Sequence, residues 1–265
     1  SLNLATTVVA GCGTTGPQTE YGRTRGTSLN GTKVFADLLR RRGHEVRAAV
    51  RLSDSVSEWA DVIIRFAANP GPLSQDEAEW YEDWLLVGNG QSLIYVVRDS
   101  DAEPEYWSQV LQQLDANDAE RREDAEERKT SASRWPSELP AKATKTADSQ
   151  QWFAVDQAVG TPRVCTTLEG PWADGIDAGK AAIPLHEPIK AGQAEERVLL
   201  SAEGKTIATD WLIDEDIDLR VLVLANASFL VNYGLTTPAR RPLAERTADW
   251  IGEEPLRIAF VEGGF

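Results

Sequence analysis

A loop rich in glycine and arginine is the segment of this chain best suited to bind a ligand. It spans residues 21–31, with the sequence YGRTRGTSLNG, and leads directly into an amphipathic segment. Ser28 and Asn30 have side-chain oxygens that can accept hydrogen bonds from the free N–H groups of a helix start. Arg23 and Arg25 can pair with anions. The segment therefore predicts a binding corner for an anion or a peptide carboxylate at the start of a helix.

Further candidates follow two apolar runs of the chain. Arg98 and Asp99 come after the run at residues 92–97, and Asn226 follows the run at residues 220–225. Ligands of open parallel sheets bind outside the carboxyl ends of the strands. We therefore expect the 21–31 loop to fold over this edge of the sheet. There it would bring Arg23 or Arg25 close to Arg98 and Asp99.

Nucleophilic catalysis needs a nucleophile beside a base, and the chain offers no such pair. Ser100 follows the 92–97 run, but His44 is expected at the opposite edge of the sheet and His186 lies in a polar segment. Both histidines are predicted to be ordinary surface residues. The two cysteines, Cys12 and Cys165, cannot form a CxxC metal site. We predict no catalytic residues, no cofactor and no metal.

Cys12 allows two interpretations. It follows small and apolar residues, as the lipid-bearing cysteine of a bacterial lipoprotein signal does, so residues 1–12 could be the remnant of such a signal. Alternatively, residues 6–10 form an ordinary buried first strand. The sequence leaves both interpretations open.

Charge limits the classes of partner. The chain has 42 acidic and 27 basic residues, a net charge of -15. Phosphate backbones are bound by basic surfaces, so nucleic acid is excluded as a direct partner. No apolar run reaches the length of a membrane span, so membrane contact would need a separate anchor. An unidentified protein is the expected partner.

Apolar runs and helical patterns alternate along the chain. Strands are predicted over residues 45–50, 60–66, 92–97, 220–225 and 256–261, with a hairpin over 197–211; helices are predicted over 32–42, 74–86, 104–129 and 238–250. Residues 130–190 are expected to be a loop-rich insertion, with short strands near 152–155 and 163–167. This order predicts a single α/β domain over residues 1–265. We expect a three-layer sandwich with a mostly parallel sheet and helices on both faces.

Several of these motifs together resemble a known family. They are YGR…SLNG at residues 21–31, GHEV at 43–46, ADVII at 60–64, GQSLIYVV at 90–97 and VLVLAN at 221–226. In these parts, and outside residues 130–190, the chain resembles the bacterial family called domain of unknown function 4350. The resemblance implies a flavodoxin-like fold related to class I glutamine amidotransferases. It also implies an extracytoplasmic, periplasm-facing protein anchored at the cell envelope, without an assigned activity.

The glutaminase chemistry of the amidotransferases is not expected here. Those enzymes need a cysteine on a sharp turn after a strand, and the corresponding stretch reads Val97-Arg98-Asp99-Ser100. We therefore expect a non-catalytic binding or scaffold domain of the envelope. The alternative is a hydrolase or transferase of unknown substrate that uses arginine and aspartate at the carboxyl edge of the sheet.

Overall fold

A computed structural model describes residues 16–68, 74–88, 90–134, 153–155, 163–185, 189–191, 196–214 and 219–263. Cys12, and with it both interpretations of residues 1–12, lies outside these ranges. His186 lies outside them as well.

Helices and strands alternate through the described residues. The helices are α1 (Lys33–Arg41), α2 (Asp54–Trp59), α3 (Gln75–Val87), α4 (Glu103–Gln113), α5 (Ala119–Ala132), α6 (Ala178–Ala181) and α7 (Arg241–Ile251). The strands are β1 (Glu45–Ala49), β2 (Val62–Phe66), β3 (Ser92–Val96), β4 (Phe153–Val155), β5 (Arg163–Cys165), β6 (Leu168–Glu169), β7 (Ile183–Leu185), β8 (Ile189–Ala191), β9 (Glu196–Ala202), β10 (Lys205–Asp214), β11 (Leu219–Leu224) and β12 (Arg257–Val261). Within these ranges, none of the helices is long and apolar enough to cross a membrane.

One large mixed sheet organises the molecule. Its strand order is β1-β12-β2-β3-β11-β10-β9-β6. The five strands from β1 to β11 are parallel, and the remaining three continue the sheet in antiparallel pairs. The prediction that β1, β2, β3 and β11 belong to one parallel sheet is confirmed. The carboxyl-terminal strand β12 is inserted between β1 and β2, which the sequence pattern did not indicate.

The sheet is covered by helices on both faces. Successive residues of β2 point to opposite sides, so Ile64 joins one apolar cluster and Ile63 joins another. The Ile64 cluster includes Phe35 of α1 and Leu243 of α7, whereas the Ile63 cluster includes Trp84 of α3. The fold is therefore α/β, with a mostly parallel mixed sheet between helices, as a three-layer arrangement requires.

The long helix predicted over residues 104–129 is wrong, because the structure has two helices there. The first ends at Gln113, and the next residue, Leu114, has an extended backbone. Asp115 then accepts a hydrogen bond from the backbone N–H of Asn117, and Asp118 accepts one from Arg121 at the start of α5. Short acidic and amide side chains bond their own backbone in this way and favour turns and caps over helix interiors.

The described part of residues 130–190 is joined closely to the sheet. Strand β6 extends the sheet beside β9, and Cys165 and Ile183 belong to the same apolar cluster as α1 and α7. A buried arginine also links this segment to helix α4 by hydrogen bonds. Arg240, with 2% of its surface exposed, donates to the carbonyl oxygens of Ala181 (2.7 Å) and Ala182 (2.8 Å) and pairs with Glu105 of α4 through both of its terminal nitrogens.

Candidate functional site

The loop that precedes α1 lies across the carboxyl edge of the parallel strands, where it was expected. Glu262, directly after β12, accepts hydrogen bonds from the backbone N–H of Thr24 (2.8 Å) and from its hydroxyl (2.6 Å). Arg23 adds an ion pair to the same carboxylate (3.4 Å). Gly22 has a φ of +73°, and a Cβ at this position would lie 2.9 Å from the Cβ of Phe66 at the end of β2. The loop is therefore in close contact with two strand ends.

Asn30 is the central polar residue of the loop. Its side-chain N–H₂ group donates to Asp101 Oδ1 (2.9 Å) and to the carbonyl oxygen of Thr19 (3.2 Å). Its Oδ1 accepts from the backbone N–H of Ala102 (2.8 Å), at the start of α4. Asn30 is 1% exposed. It thus joins the loop to the residues that follow β3, and it does so with both ends of its amide.

The prediction that Ser28 and Asn30 cap helix α1 is wrong. Ser28 instead donates its hydroxyl to the carbonyl oxygen of Glu20 (2.6 Å), which braces the loop from within. The helix start is satisfied by Asn232, whose Oδ1 accepts from the N–H of Val34 (2.9 Å) and whose N–H₂ group donates to the Ser28 carbonyl (2.9 Å). Tertiary packing has therefore replaced the local cap that the sequence spacing suggested.

Arg98 meets the loop through an aromatic ring. It donates to Asp101 Oδ2 (2.6 Å), and its guanidinium carbon lies 4.7 Å from the centre of the Tyr21 ring. Arg23 is directed to Glu262, and Arg25 is exposed on the loop. The expected approach of Arg23 to Arg98 is therefore replaced by a cation–π contact from Tyr21.

Asp99 and Asn226 lie together, because the strands that precede them, β3 and β11, are neighbours in the sheet. Asn226 is fully buried, and its N–H₂ group donates to Asp99 Oδ2 (3.3 Å) and to the carbonyl oxygen of Pro184 (2.6 Å). Its Oδ1 accepts from the N–H of Ser228 (2.8 Å). Asp99 is itself 2% exposed. These bonds connect the ends of β3 and β11 with β7.

Burial dominates the electrostatics of this edge. It raises the pKa of Tyr21, an effect that the nearby Asp101 reinforces and Arg98 partly offsets. Burial also raises the pKa of the Cys165 thiol to about 11, and the charges of Glu203 and Asp99 act in the same direction. Cys165 is therefore a protonated thiol at neutral pH, and the thiolate is the form that attacks electrophiles.

His44 is not the surface residue that the sequence predicted. It lies between α1 and β1, at the amino-terminal edge of the sheet, and is 4% exposed. Its Nδ1 accepts from the N–H of Leu256 (3.3 Å). Burial lowers the pKa of His44, and the neighbouring Arg42 lowers it further. His44 stands on the far edge from Ser100, and its position there is as expected.

We call the bonded residues of the carboxyl edge, Tyr21, Asn30, Arg98, Asp99, Asp101 and Asn226, the edge network. Sequence reasoning missed two contacts of this network, Tyr21 with Arg98 and Asp101 with Asn30, and also the contact of Glu262 with the loop. Asp101 and Glu262 each follow a predicted strand within a few residues, so their position after a strand was the available signal.

No group of three or more metal-ligating side chains is formed by the residues that the structure describes. Comparison with models of protein families, with curated proteins and with solved structures gives no match. The family resemblance therefore rests on the sequence motifs alone.

Proposed function

We propose that this chain is a non-catalytic binding or scaffold domain of the bacterial cell envelope. Its fold would be flavodoxin-like, of the kind found in class I glutamine amidotransferases. The parallel strands between two layers of helices support that fold, and the resemblance to domain of unknown function 4350 supports the location. The observation that carries the proposal is that Asn30 and Arg98 both bond Asp101, and Asn226 bonds Asp99, within the protein itself.

A ligand site needs polar groups that remain available to the ligand. In the edge network Asn30 uses both ends of its amide within the protein, and so does Asn226. Arg98 is paired with Asp101 and covered by Tyr21. Buried polar groups that satisfy one another hold a structure in place. This supports a role for the network in fixing the loop.

The outer side of the loop is then the surface offered to a partner. Arg23 and Arg25 are exposed there, on a chain with a net charge of -15. The guanidinium of Arg25, with the N–H groups of Arg23 that do not face Glu262, suits an acidic segment of another protein, because a guanidinium can hold a carboxylate with two hydrogen bonds. The proposed partner is therefore a protein that presents an acidic peptide.

The alternative function is a hydrolase or transferase with an arginine–aspartate site. The observation in its favour is that Asp99 is a buried carboxylate at a strand end, directly after Arg98. Against it stand the protonated thiol of Cys165 and the burial of Ser100, which is 4% exposed. Neither residue has a histidine beside it among the described residues.

The two functions are separated by turnover measurements. Purified protein is incubated with glutamine, with p-nitrophenyl acetate and with p-nitrophenyl phosphate, and release of ammonia or nitrophenol is followed. We expect rates equal to those of buffer alone. Turnover that disappears in Ser100→Ala, Asp99→Asn or Cys165→Ser, but persists when the exposed Asp83 is changed to Asn, would establish the enzyme and refute the binding domain.

Partner binding is tested by crosslinking in living bacteria. A photoreactive phenylalanine analogue replaces Thr27, an exposed loop residue close to Arg25, and a matched sample carries it in place of Arg121, an exposed residue of α5. We expect one discrete adduct from position 27, recovered in the envelope fraction, and none from position 121. Identical adduct patterns from both positions, or recovery in the cytosol, would contradict the proposal.

A further inference from the structure

A second candidate site lies at the amino-terminal edge of the sheet, away from the loop. A cavity of about 240 Å³ opens there between the turn at residues 171–173, strands β9 to β11 and the last turn of α7. Its volume is just below the range of about 300–1,000 Å³ that holds drug-sized ligands. The space therefore suits a small molecule.

One wall of the cavity is held rigidly by hydrogen bonds. The two carboxylate oxygens of Asp210 accept from Arg220 Nη2 (2.9 Å) and from the indole N–H of Trp250 (2.9 Å). The guanidinium of Arg220 also lies 4.7 Å from the centre of the Trp250 ring. These contacts fix the side chains of Arg220 and Trp250 before any ligand binds. Less conformational entropy is therefore lost on binding.

The lining is positively charged although the protein is strongly acidic. Arg197, Arg220 and Arg246 line the cavity with Asp210 and Asp249, and Asp249 is paired with Arg42 just outside it. The three lining arginines exceed the two lining aspartates by one charge, and Arg42 offsets the charge of Asp249 from outside the cavity. Arg246 bonds the carbonyl oxygens of Pro171 and Asp174 through its two terminal nitrogens, whereas Arg197 is exposed and has no ion-pair partner among the described residues. An anion would therefore find an available guanidinium at the mouth of the cavity.

We propose that this cavity binds a small organic anion. Arg197 holds its carboxylate or phosphate group, since a guanidinium matches the geometry of both, and the charge of Arg246 adds to the attraction. The apolar part of the ligand lies against Trp172 and Leu199, which are both buried beside the cavity. The site is separate from the edge network and from the loop proposed to contact a protein partner.

The indole N–H signal of Trp250 provides a direct assay. Protein labelled with ¹⁵N at its tryptophans is titrated with benzoate, phenyl phosphate, inorganic phosphate and benzylamine, and the Trp250 signal is assigned from Trp250→Phe. We expect saturable shifts with benzoate or phenyl phosphate and none with the cation benzylamine. The stronger of the two ligands identifies whether the natural group is a carboxylate or a phosphate.

Variants of the exposed arginine decide whether the site is specific. Arg197→Ala should weaken the binding about tenfold, as expected for the loss of one charge-assisted hydrogen bond. Arg197→Lys, which keeps the charge, should weaken it less, and the exposed Arg121→Ala should have no effect. Equal melting temperatures of all variants establish that the fold is kept. Absence of a saturable shift at millimolar ligand, or equal binding by Arg197→Ala, would overturn the proposal.

Discussion

Replacing Asn30 with Asp tests whether the edge network holds the loop in place. The change keeps the size and shape of the side chain but removes both N–H donors. The new carboxylate would face Asp101 Oδ1 and the carbonyl oxygen of Thr19, which are now hydrogen-bonded at 2.9 and 3.2 Å. Asn30→Ala removes the same bonds without adding a charge. Comparison of these two variants isolates the electrostatic part of the effect.

The magnitude follows from the protonation of the new carboxylate. Two unit charges about 3 Å apart repel by roughly 5 kcal/mol at an effective dielectric constant of 20. Protonating an aspartate with an ordinary pKa of about 3.9 costs only about 4 kcal/mol at pH 7, which limits the electrostatic penalty. Three lost hydrogen bonds in Asn30→Ala should cost about 2–4 kcal/mol. We expect Asn30→Asp to be destabilised by about 4–6 kcal/mol at pH 7.

The sign of the pH effect is also fixed. Burial and the charge of Asp101 raise the pKa of the new carboxyl in the folded protein above its unfolded value. Between these two pKa values the folded state binds more protons, so the penalty shrinks as the pH falls. The decrease approaches about 1.4 kcal/mol per pH unit. Asn30→Ala should show no such recovery relative to the wild type.

The assay is urea unfolding followed by circular dichroism at pH 7, 6 and 5. Asn117→Asp, at an exposed asparagine, serves as the control for the added charge and should stay within about 0.5 kcal/mol of the wild type. The reasoning is refuted if Asn30→Asp lies within about 1 kcal/mol of the wild type at pH 7. It is also refuted if the penalty of Asn30→Asp is the same at pH 5 and pH 7.

Three further changes have defined outcomes. Arg240→Met leaves buried carbonyl oxygens unpaired and should cost about 3–5 kcal/mol, whereas Glu105→Gln should cost about 1 kcal/mol because 40% of that side chain is exposed; equal melting temperatures would contradict this. Since burial lowers the pKa of His44, protonation favours unfolding as the pH falls below about 6.5, and His44→Gln should reduce the stability loss between pH 7.5 and 5.5. Gly234→Ala would force a Cβ into the backbone carbonyl of Ser228 and should lower the free energy of unfolding by about 2–4 kcal/mol, measured by urea unfolding. A urea midpoint like that of the wild type would disprove the overlap.

The sheet strands were predictable because their burial leaves a direct trace in the sequence. Strands β2, β3 and β11 are covered on both faces, so they appear as nearly continuous apolar runs. The break between α4 and α5 also had a local signal, since Asp115 and Asp118 are residues that favour turns and helix caps. It was missed because charged residues continue at helical spacing on both sides of the break.

The contacts of the edge network depend on strand order, which no local pattern carries. The insertion of β12 between β1 and β2 brings Glu262 under the loop, and this is why Arg23 pairs with it instead of approaching Asp99. Asn232 caps helix α1 by accepting from the N–H of Val34, which lies 198 residues earlier in the chain. Sequence reasoning could place polar residues at the correct edge of the sheet, but it could not assign their partners across the strands.

The two edges of the sheet have different chemical characters, and this difference connects the two proposals. Open parallel sheets commonly bind ligands at the carboxyl edge. Here that edge is covered by the chain's own loop, with Gly22 close to Phe66 and the amide of Asn30 placed among the groups that a ligand would otherwise contact. The cavity with an available guanidinium, that of Arg197, lies at the amino edge. A folded Asn30 variant should therefore bind benzoate as the wild type does, whereas Arg197→Ala should bind it weakly without loss of stability. If either variant lost both benzoate binding and stability, the two edges would act as one site.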